Sequence, residues 1–413
     1  NWQAKVGSAA FDGATEEDWM ADGLDLAGNA RKSGAAADMG CYERDATAFA
    51  ASLRADKSVG IEPLEVQFEV SALNASGDIT CTWNWGDGTA VETKSGATAT
   101  HSFAAGEHQV KVTVAAGGVE YPVPGVTAIK VGAATIPVAV GESIDAALAA
   151  AVDGTEIVLA KGTHPVAASV RVTKGVTIRG ATGDPAEVTI RRSGTSSYRV
   201  LMMDHPDALL KDLTVANGYS HDANDPGHGG GVRFTARGGN MEHCIVTGCT
   251  ADWYSSGGGV YITPKAPVFI DRCVFSNCFN TTYADQYGGS ALYMASGTVR
   301  NSLFIHNTES GSSGNGGTVY VAGGTLENCT VGGNTAAKCA GIVAKGGTVR
   351  NCLIGACTST AATDDLTPVW NGTASCFQHC VAEVRINDDY PSEPDVFDCA
   401  LTDDWQAKVG SAA

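Results

Sequence analysis

Between residues 210 and 382 the chain repeats one arrangement of apolar and polar positions. Leu213, Cys244, Cys273, Ser302, Cys329, Cys352 and Cys380 share one column. Three residues earlier stand Leu210, Met241, Ile270, Val299, Leu326, Val349 and Phe377, all apolar. Two residues later stand Val215, Val246, Phe275, Phe304, Val331, Ile354 and Ala382, again all apolar. Immediately before the first column come Asp212, His243, Arg272, Asn301, Asn328, Asn351 and His379, all polar. Successive members lie 31, 29, 29, 27, 23 and 28 residues apart. A second strand precedes these positions, in GGGVRFT, GGGVYIT, GGSALYM and GGTVYVA. The pattern predicts a solenoid: each repeat is one coil, and each column is a ladder of like side chains about 4.8 Å apart. The polar residue before the column predicts a sharp turn, because Asn tolerates left-handed backbone angles.

Upstream the pattern changes twice. SIDAALAAAV (143–152) reads as a short helix with Ser143 as N-cap, followed by brief β runs in TEIVLAKGTHPV, SVRVTKGVTIRGA and AEVTIRR. Residues 56–132 alternate with period two in PLEVQFEV, ITCTWNW and HQVKVTV, broken by Gly-Asp-Gly and Gly-Gly turns. That predicts a small β-sandwich. An Ala-rich polar linker, 46–55, precedes it, and residues 1–45 form a separate segment ending DLAGNARKSGAAADMGCYER.

The middle segment resembles the PKD domain, an immunoglobulin-like module, through Trp83-Asn84-Trp85-Gly86-Asp87-Gly88-Thr89, His101-Ser102-Phe103 and Gly106-Glu107-His108-Gln109-Val110-Lys111-Val112. The residues give a structural sense to the motif. One of Trp83 and Trp85 fills the sandwich core, and Asp87 between two glycines bonds backbone amides in a tight turn. Such modules resemble spacers and sugar- or protein-contacting domains. The segment 133–400 resembles a right-handed parallel β-helix of the pectin-lyase-like type with a capped N-terminal end. The expected fold class is therefore all-β.

Charge and cysteine content narrow the function. Lys+Arg number 27 against 45 Asp+Glu, a net charge of −18, which argues against a nucleic-acid surface. No run approaches the ~20 apolar residues of a membrane span. The balance suits a secreted or cell-surface protein. Thirteen cysteines would ordinarily suggest disulfides in a secreted protein, but the columns give those of the repeats another explanation. Parallel inward side chains about 4.8 Å apart exceed the ~3.5–4.5 Å Cβ spacing of a disulfide, and Cys packs as a small hydrophobe. Cys244, Cys273, Cys329, Cys352 and Cys380 are thus expected as reduced interior structural residues. The five-residue offsets Cys244/Cys249, Cys273/Cys278 and Cys352/Cys357 follow from repetition, not from zinc-ligand geometry, and no metal site is expected.

Coil length varies just after the residue five positions past the main column, at TADWYSS, FNTTYADQY and TESGSSGN. These read as loops emerging on one side. Tyr219, Trp253, Tyr254, Phe279, Tyr283 and Tyr287, with His221, form a candidate aromatic strip for stacking on sugar rings; the alternative is packing onto the solenoid or a neighbouring domain. No catalytic residue is assigned. Asp222 and Asp225 lie in HDANDPGHGGG, but no acidic ladder continues into later coils. Gly227-His228-Gly229 resembles part of a polygalacturonase motif whose Asn-Thr-Asp and Arg-Ile-Lys partners are not in the sequence, so a glycine-rich turn is expected. No cofactor is required, and calcium is the one ion left open.

The chain carries NWQAKVGSAA at 1–10 and DWQAKVGSAA at 404–413, 403 positions apart. WQAKVGSAAFDG, DLAGNAR and AADMGCYE resemble the closing segment of bacterial surface β-helix proteins, which implies a place after a last coil. Val6 and Ala9 replace the usual prolines and Cys41 the usual Ala. The order therefore reads as circularly shifted: closing segment, PKD, β-helix, and from residue 401 the start of the next closing segment. The expectation is one unit of a tandem array, or separate chains joined head to tail. The functional expectation is a non-enzymatic structural protein forming a fibre, stalk or adhesive appendage, with itself as partner. The alternatives are a polysaccharide-binding or lyase-like β-helix, and an adhesin for a host or prey surface.

Overall fold

The computed structural model describes residues 10, 12–33, 35–39, 41, 49–221, 227–282, 287–310, 316–337, 339–359, 370–371, 377–378 and 380–382. The chain divides after residue 134 into two units.

In the first unit, strict alternation builds a β-sandwich. Leu64–Leu73 pairs antiparallel with Ala50–Ala55 on one side and Thr98–Phe103 on the other. The second sheet runs Val59–Ile61, Thr127–Gly132, Gly106–Ala116, Thr80–Asn84, Glu92–Ser95, with Val119–Pro122 beside Gly106–Ala116. Leu64, Val66, Phe68 and Val70 point inward from the first sheet and meet Cys81, Trp83, Val110, Val112 and Val114 from the second. Two expectations need correction. Residues 50–55 are an edge strand of the sandwich rather than linker: Leu53 is buried, and Phe49, Ala51 and Ala55 pack against the core. Both tryptophans, not one, are core residues. Trp83 and Trp85 lie two apart on one strand face, fully buried, with rings stacked at 5.1 Å.

The second unit is a parallel solenoid. The helix Ile144–Ala150 is capped by the Ser143 hydroxyl, which accepts the Ala146 N–H at 3.2 Å, and it buries Ile144, Ala147 and Leu148 at the first coils. Among the described residues, sheet I has ten strands from Thr135–Val138 to Phe377–Gln378, and sheet II nine from Gly162–Val166 to Val381–Ala382. Sheet III has eight strands, from Val170–Val172 to Trp370–Asn371. The apolar columns are in register, and their members up to Val349 and Ile354 are fully buried inward positions. Leu210, Met241, Ile270, Val299, Leu326, Val349 and Phe377 are successive Cα partners in sheet I. Val215, Val246, Phe275, Phe304, Val331, Ile354 and Ala382 are partners in sheet II. Between them the chain turns through Asp212, His243, Arg272, Asn301, Asn328 and Asn351, all with φ between 49° and 53°. His379 lies outside the described residues.

Cys244, Cys273, Cys329, Cys352 and Cys380 are buried just inside that turn. Burial pushes the Cys244 thiol well up, and its hydrogen-bonded neighbour Cys273 adds to this. The bond shared with Cys329, and then burial, raise Cys352. A second inward column at the next turn holds Cys249, Cys278, Asn307 and Asn334. There the Asn307 amide donates to Asn334 Oδ1 at 3.0 Å and to the Phe275 carbonyl at 3.0 Å, so a buried polar side chain is satisfied along the axis.

The segments read as inserted loops begin as a fourth parallel sheet. Sheet IV stacks Tyr219–His221, Thr250–Trp253, Phe279–Thr282, Thr308–Glu309, Thr335–Ala336 and Thr358–Ser359. Glycines then bring the chain back to sheet III under close contact. A Cβ on Gly258 would meet the carbonyls of Phe279 and Ser290 at 2.3 Å.

Candidate functional site

The aromatic residues singled out along the insertions divide into two clusters. The first stands on the outer face of sheet IV, where His221, Asp252 and Thr281 are successive partners and Tyr219 begins the adjacent row. The Tyr219 hydroxyl donates to Asp252 Oδ2 at 2.6 Å. Oδ1 accepts the Trp253 N–H at 2.7 Å and the Thr281 hydroxyl. His221 Nδ1 lies 3.4 Å from Oδ2. Burial pushes the Asp252 carboxyl up, but the hydrogen bonds from Thr281, Tyr219 and the Trp253 amide outweigh it and hold the group below its ordinary value. The same bond to Asp252, with burial, pushes the Tyr219 phenol up to about 12. The Arg192 guanidinium lies 5.7 Å over the Tyr219 ring.

Trp253 is 52 % exposed and meets His221 edge-to-face at 5.8 Å. Its φ is 60°, a left-handed conformation that costs a bulky residue about 1–3 kcal/mol. The carboxylate beneath its amide holds that backbone in place. Chemically this is an open indole face beside a hydroxyl, an imidazole and an anchored carboxylate. That set can stack on a ring and exchange hydrogen bonds with its substituents.

The second cluster covers the outer face of sheet III. Tyr261, Tyr293 and Tyr320 are register partners whose rings stack at 5.0 and 4.9 Å. His228 continues the stack onto Tyr261 at 4.3 Å, and Tyr287 lies 6.2 Å from His228 and 5.7 Å from the exposed Tyr254. His228 Nδ1 accepts the Ser256 N–H at 3.0 Å, so the Gly-His-Gly stretch packs a turn onto this face. Sequence reasoning missed the tyrosine column, although its signal was present as the middle residue of VYI, LYM and VYV.

Tyr219 and Trp253 are therefore brought together, as are Tyr254 and Tyr287, in separate clusters. Phe279 sits half-buried in sheet IV, in register between Thr250 and Thr308. Tyr283, Asp222 and Asp225 lie outside the described residues. In the sandwich, Asp87 does more than shape its turn: Oδ1 accepts the Thr89 N–H at 3.0 Å and the Thr89 hydroxyl at 2.6 Å, while Oδ2 is 2.7 Å from His101 Nε2. Among the described residues no group of three or more His, Cys, Asp or Glu side chains is placed to hold a metal ion.

Comparison with known proteins defines the class. Residues 50–118 match the model of the PKD domain, and residues 175–367 match that of the right handed beta helix region. The chain is thus a PKD sandwich joined to a right-handed parallel β-solenoid. Both domains are typical of extracellular proteins, and among the described residues no helix is long and apolar enough to cross a membrane. No curated protein matches the sequence significantly. Two solved structures show a distant likeness. The pectin methylesterase from Aspergillus niger in deglycosylated form is 12 % identical over 60 % of this chain and 85 % of that one, with a TM-score of 0.29. Its penultimately deglycosylated form is 13 % identical over 60 % and 84 %, with a TM-score of 0.28. Likeness at this level carries no functional argument.

Proposed function

We propose that this is a non-enzymatic extracellular structural protein, whose β-helix and PKD units are joined end to end in a fibre, stalk or adhesive appendage. The observation that carries this reading is the ten-residue stretch that recurs at 1–10 and 404–413, differing only at Asn1 against Asp404, around one sandwich and one solenoid. A solenoid propagates along one axis and buries its columns against its own neighbours, which suits it to serve as a rod. The test is the mass of native material, first fully denatured and reduced, then undenatured. A denatured mass of many units, far above 42.3 kDa, supports a covalent tandem array. A denatured mass near one unit with a native mass of many units supports head-to-tail assembly. One unit in both states overturns the reading.

The exposed Trp253 and Tyr254 favour a second reading, binding of a polysaccharide along the solenoid. Its expected outcome is that Trp253→Ala and Tyr254→Ala abolish retention on glycan arrays; unchanged retention sinks it.

A further inference from the structure

Six buried cysteines stand as three pairs on neighbouring coils: Cys244 with Cys273, Cys249 with Cys278, and Cys329 with Cys352. None is more than 2 % exposed, and all six are thiols. Their sulfurs share one orientation, because each donates to the carbonyl two residues before it at 3.2–3.4 Å. The backbone ladder is continuous beside each pair. The carbonyl of Cys244 accepts the Val274 N–H at 2.9 Å, that of Cys249 the Phe279 N–H at 2.8 Å, and that of Cys329 the Leu353 N–H at 2.9 Å. The two thiols of a pair therefore meet along the solenoid axis, where they hydrogen-bond to each other.

The spacing decides what such a pair can hold. Coils about 4.8 Å apart keep it from the ~3.5–4.5 Å Cβ separation of a disulfide. A thiolate bond to a d10 ion is about 2.3 Å long, so two in line through one ion span about 4.6 Å. Zinc takes four ligands, and among the described residues no three His, Cys, Asp or Glu converge to hold an ion. A soft monovalent ion is satisfied by two sulfurs in line.

We propose that the three pairs are sites for a soft monovalent d10 ion, copper(I) or silver(I), bound in line between the sulfurs of adjacent coils. The apolar interior disfavours a net charge. One thiol of the pair loses its proton to solvent and binds as thiolate. The other keeps its proton, still donated to a backbone carbonyl, and binds through a sulfur lone pair. Ion, thiolate and thiol then sum to zero charge, with one proton released per ion. Burial and the shared hydrogen bond push the Cys244 and Cys278 thiols well up, so the ion competes with a firmly held proton and uptake weakens as pH falls. A bound ion ties neighbouring coils where a disulfide cannot reach, as a staple along the rod axis. The pairing is independent of any fibre.

Serine is the natural substitution for the test. Ser302 occupies the first cysteine column, 3 % exposed, its hydroxyl donating to the Arg300 carbonyl at 2.7 Å as the thiols do. It fits the turn but offers a hard oxygen in place of a soft sulfur. The reduced 413-residue chain is titrated under nitrogen with copper(I) held by bicinchoninate, over times long enough for coils to open locally. Bound copper, released protons and the X-ray absorption spectrum of the loaded native chain are read. The expected result is one ion per pair. Cys273→Ser, Cys278→Ser and Cys352→Ser each lower uptake by one ion, and the triple variant lowers it by three. One proton is released per ion, affinity falls about tenfold for each pH unit lost, and each ion has two sulfur neighbours. Equal uptake by the native chain and the triple variant places the copper on other cysteines, such as the exposed Cys41, and overturns the proposal. Copper left with the chelator, or three or more sulfurs around each ion, also overturns it. The absorption spectrum does not depend on a variant folding.

Discussion

Replacing Asp87 by Asn removes one charge from the sandwich and leaves its shape, which makes the consequence calculable. Asp87 sits between Gly86 and Gly88, both in left-handed conformations, and its carboxylate ties the turn to Thr89 and to His101. His101 stacks on Trp85 at 4.4 Å, so the pair braces the aromatic core from its edge. Burial pushes the carboxyl up, yet the hydrogen bonds from Thr89 and His101 win and bring it from 3.8 to about 2. At about 1.4 kcal/mol per pH unit, the charged form contributes about 2 kcal/mol to the folded sandwich. The side chain is only 10 % exposed, so solvent screening removes little of that. Because the folded value is depressed, the contribution is complete above the unfolded value of 3.8 and is lost as pH falls through about 2. Hydrogen exchange of the full chain, corrected for intrinsic rates, reads this locally in peptides covering 64–73 and 106–116. Asp87→Asn lowers their protection by about 2 kcal/mol at pH 7, and the deficit shrinks to nearly nothing at pH 2. Equal protection at pH 7, or a deficit that persists unchanged at pH 2, refutes the reasoning.

Three further outcomes follow from the solenoid. Phe304→Ala removes a buried ring stacked at 4.6 Å on Phe275 and lowers unfolding free energy by about 3–5 kcal/mol, measured by denaturant titration. Glu327→Lys places a cation between its register partners Arg300 and Arg350; a loss of about 1–2 kcal/mol, largely recovered in 1 M salt, is expected in the same titration. Gly258→Ala drives a methyl into two backbone carbonyls 2.3 Å away, and soluble folded protein by circular dichroism falls sharply.

The inward columns were legible because burial demands the same kind of residue at every coil, and the helix was legible from Ser143 and its alanines. What stayed hidden shares one cause: outward positions are selected by neighbours that adjoin only after the coils stack. The strands of sheet IV are two to four residues long, too short to show a period, and so Phe279 reads as loop. Tyr261, Tyr293 and Tyr320 each look like an isolated tyrosine until register places one above the next. Ala50–Ala55 reads as linker because alanines carry little apolar signal, while the edge strand they form is fixed by pairing with Leu64–Leu73.

Register also makes electrostatics a column problem. On the outer face of sheet I, Arg179, Lys211, Glu242, Asp271, Arg300, Glu327 and Arg350 are successive partners, about 4.8 Å apart. Like charges at that spacing repel unless something intervenes. From Asp271 onward the signs alternate, and Arg300 Nε reaches Asp271 at 3.0 Å while Arg350 pairs with Glu327. The two like-signed steps are each relieved sideways. Arg179 turns to Glu156 of the neighbouring strand at 3.1 Å, leaving Lys211 to Glu242 at 3.4 Å. Between Glu242 and Asp271 the relief comes from the turn column: where other coils carry Asp, His or Asn, this one carries Arg272, which pairs with Glu242 and lies 3.4 Å from Asp271. Burial would push the Asp271 carboxyl up, but hydrogen bonds from Asn301 and Arg300 hold it down, so it stays charged within the ladder. A coil that slipped against its neighbour would lose these pairs together with its buried columns. Inward packing thus favours any stacked alignment of apolar residues, and the outward charges select the one in register.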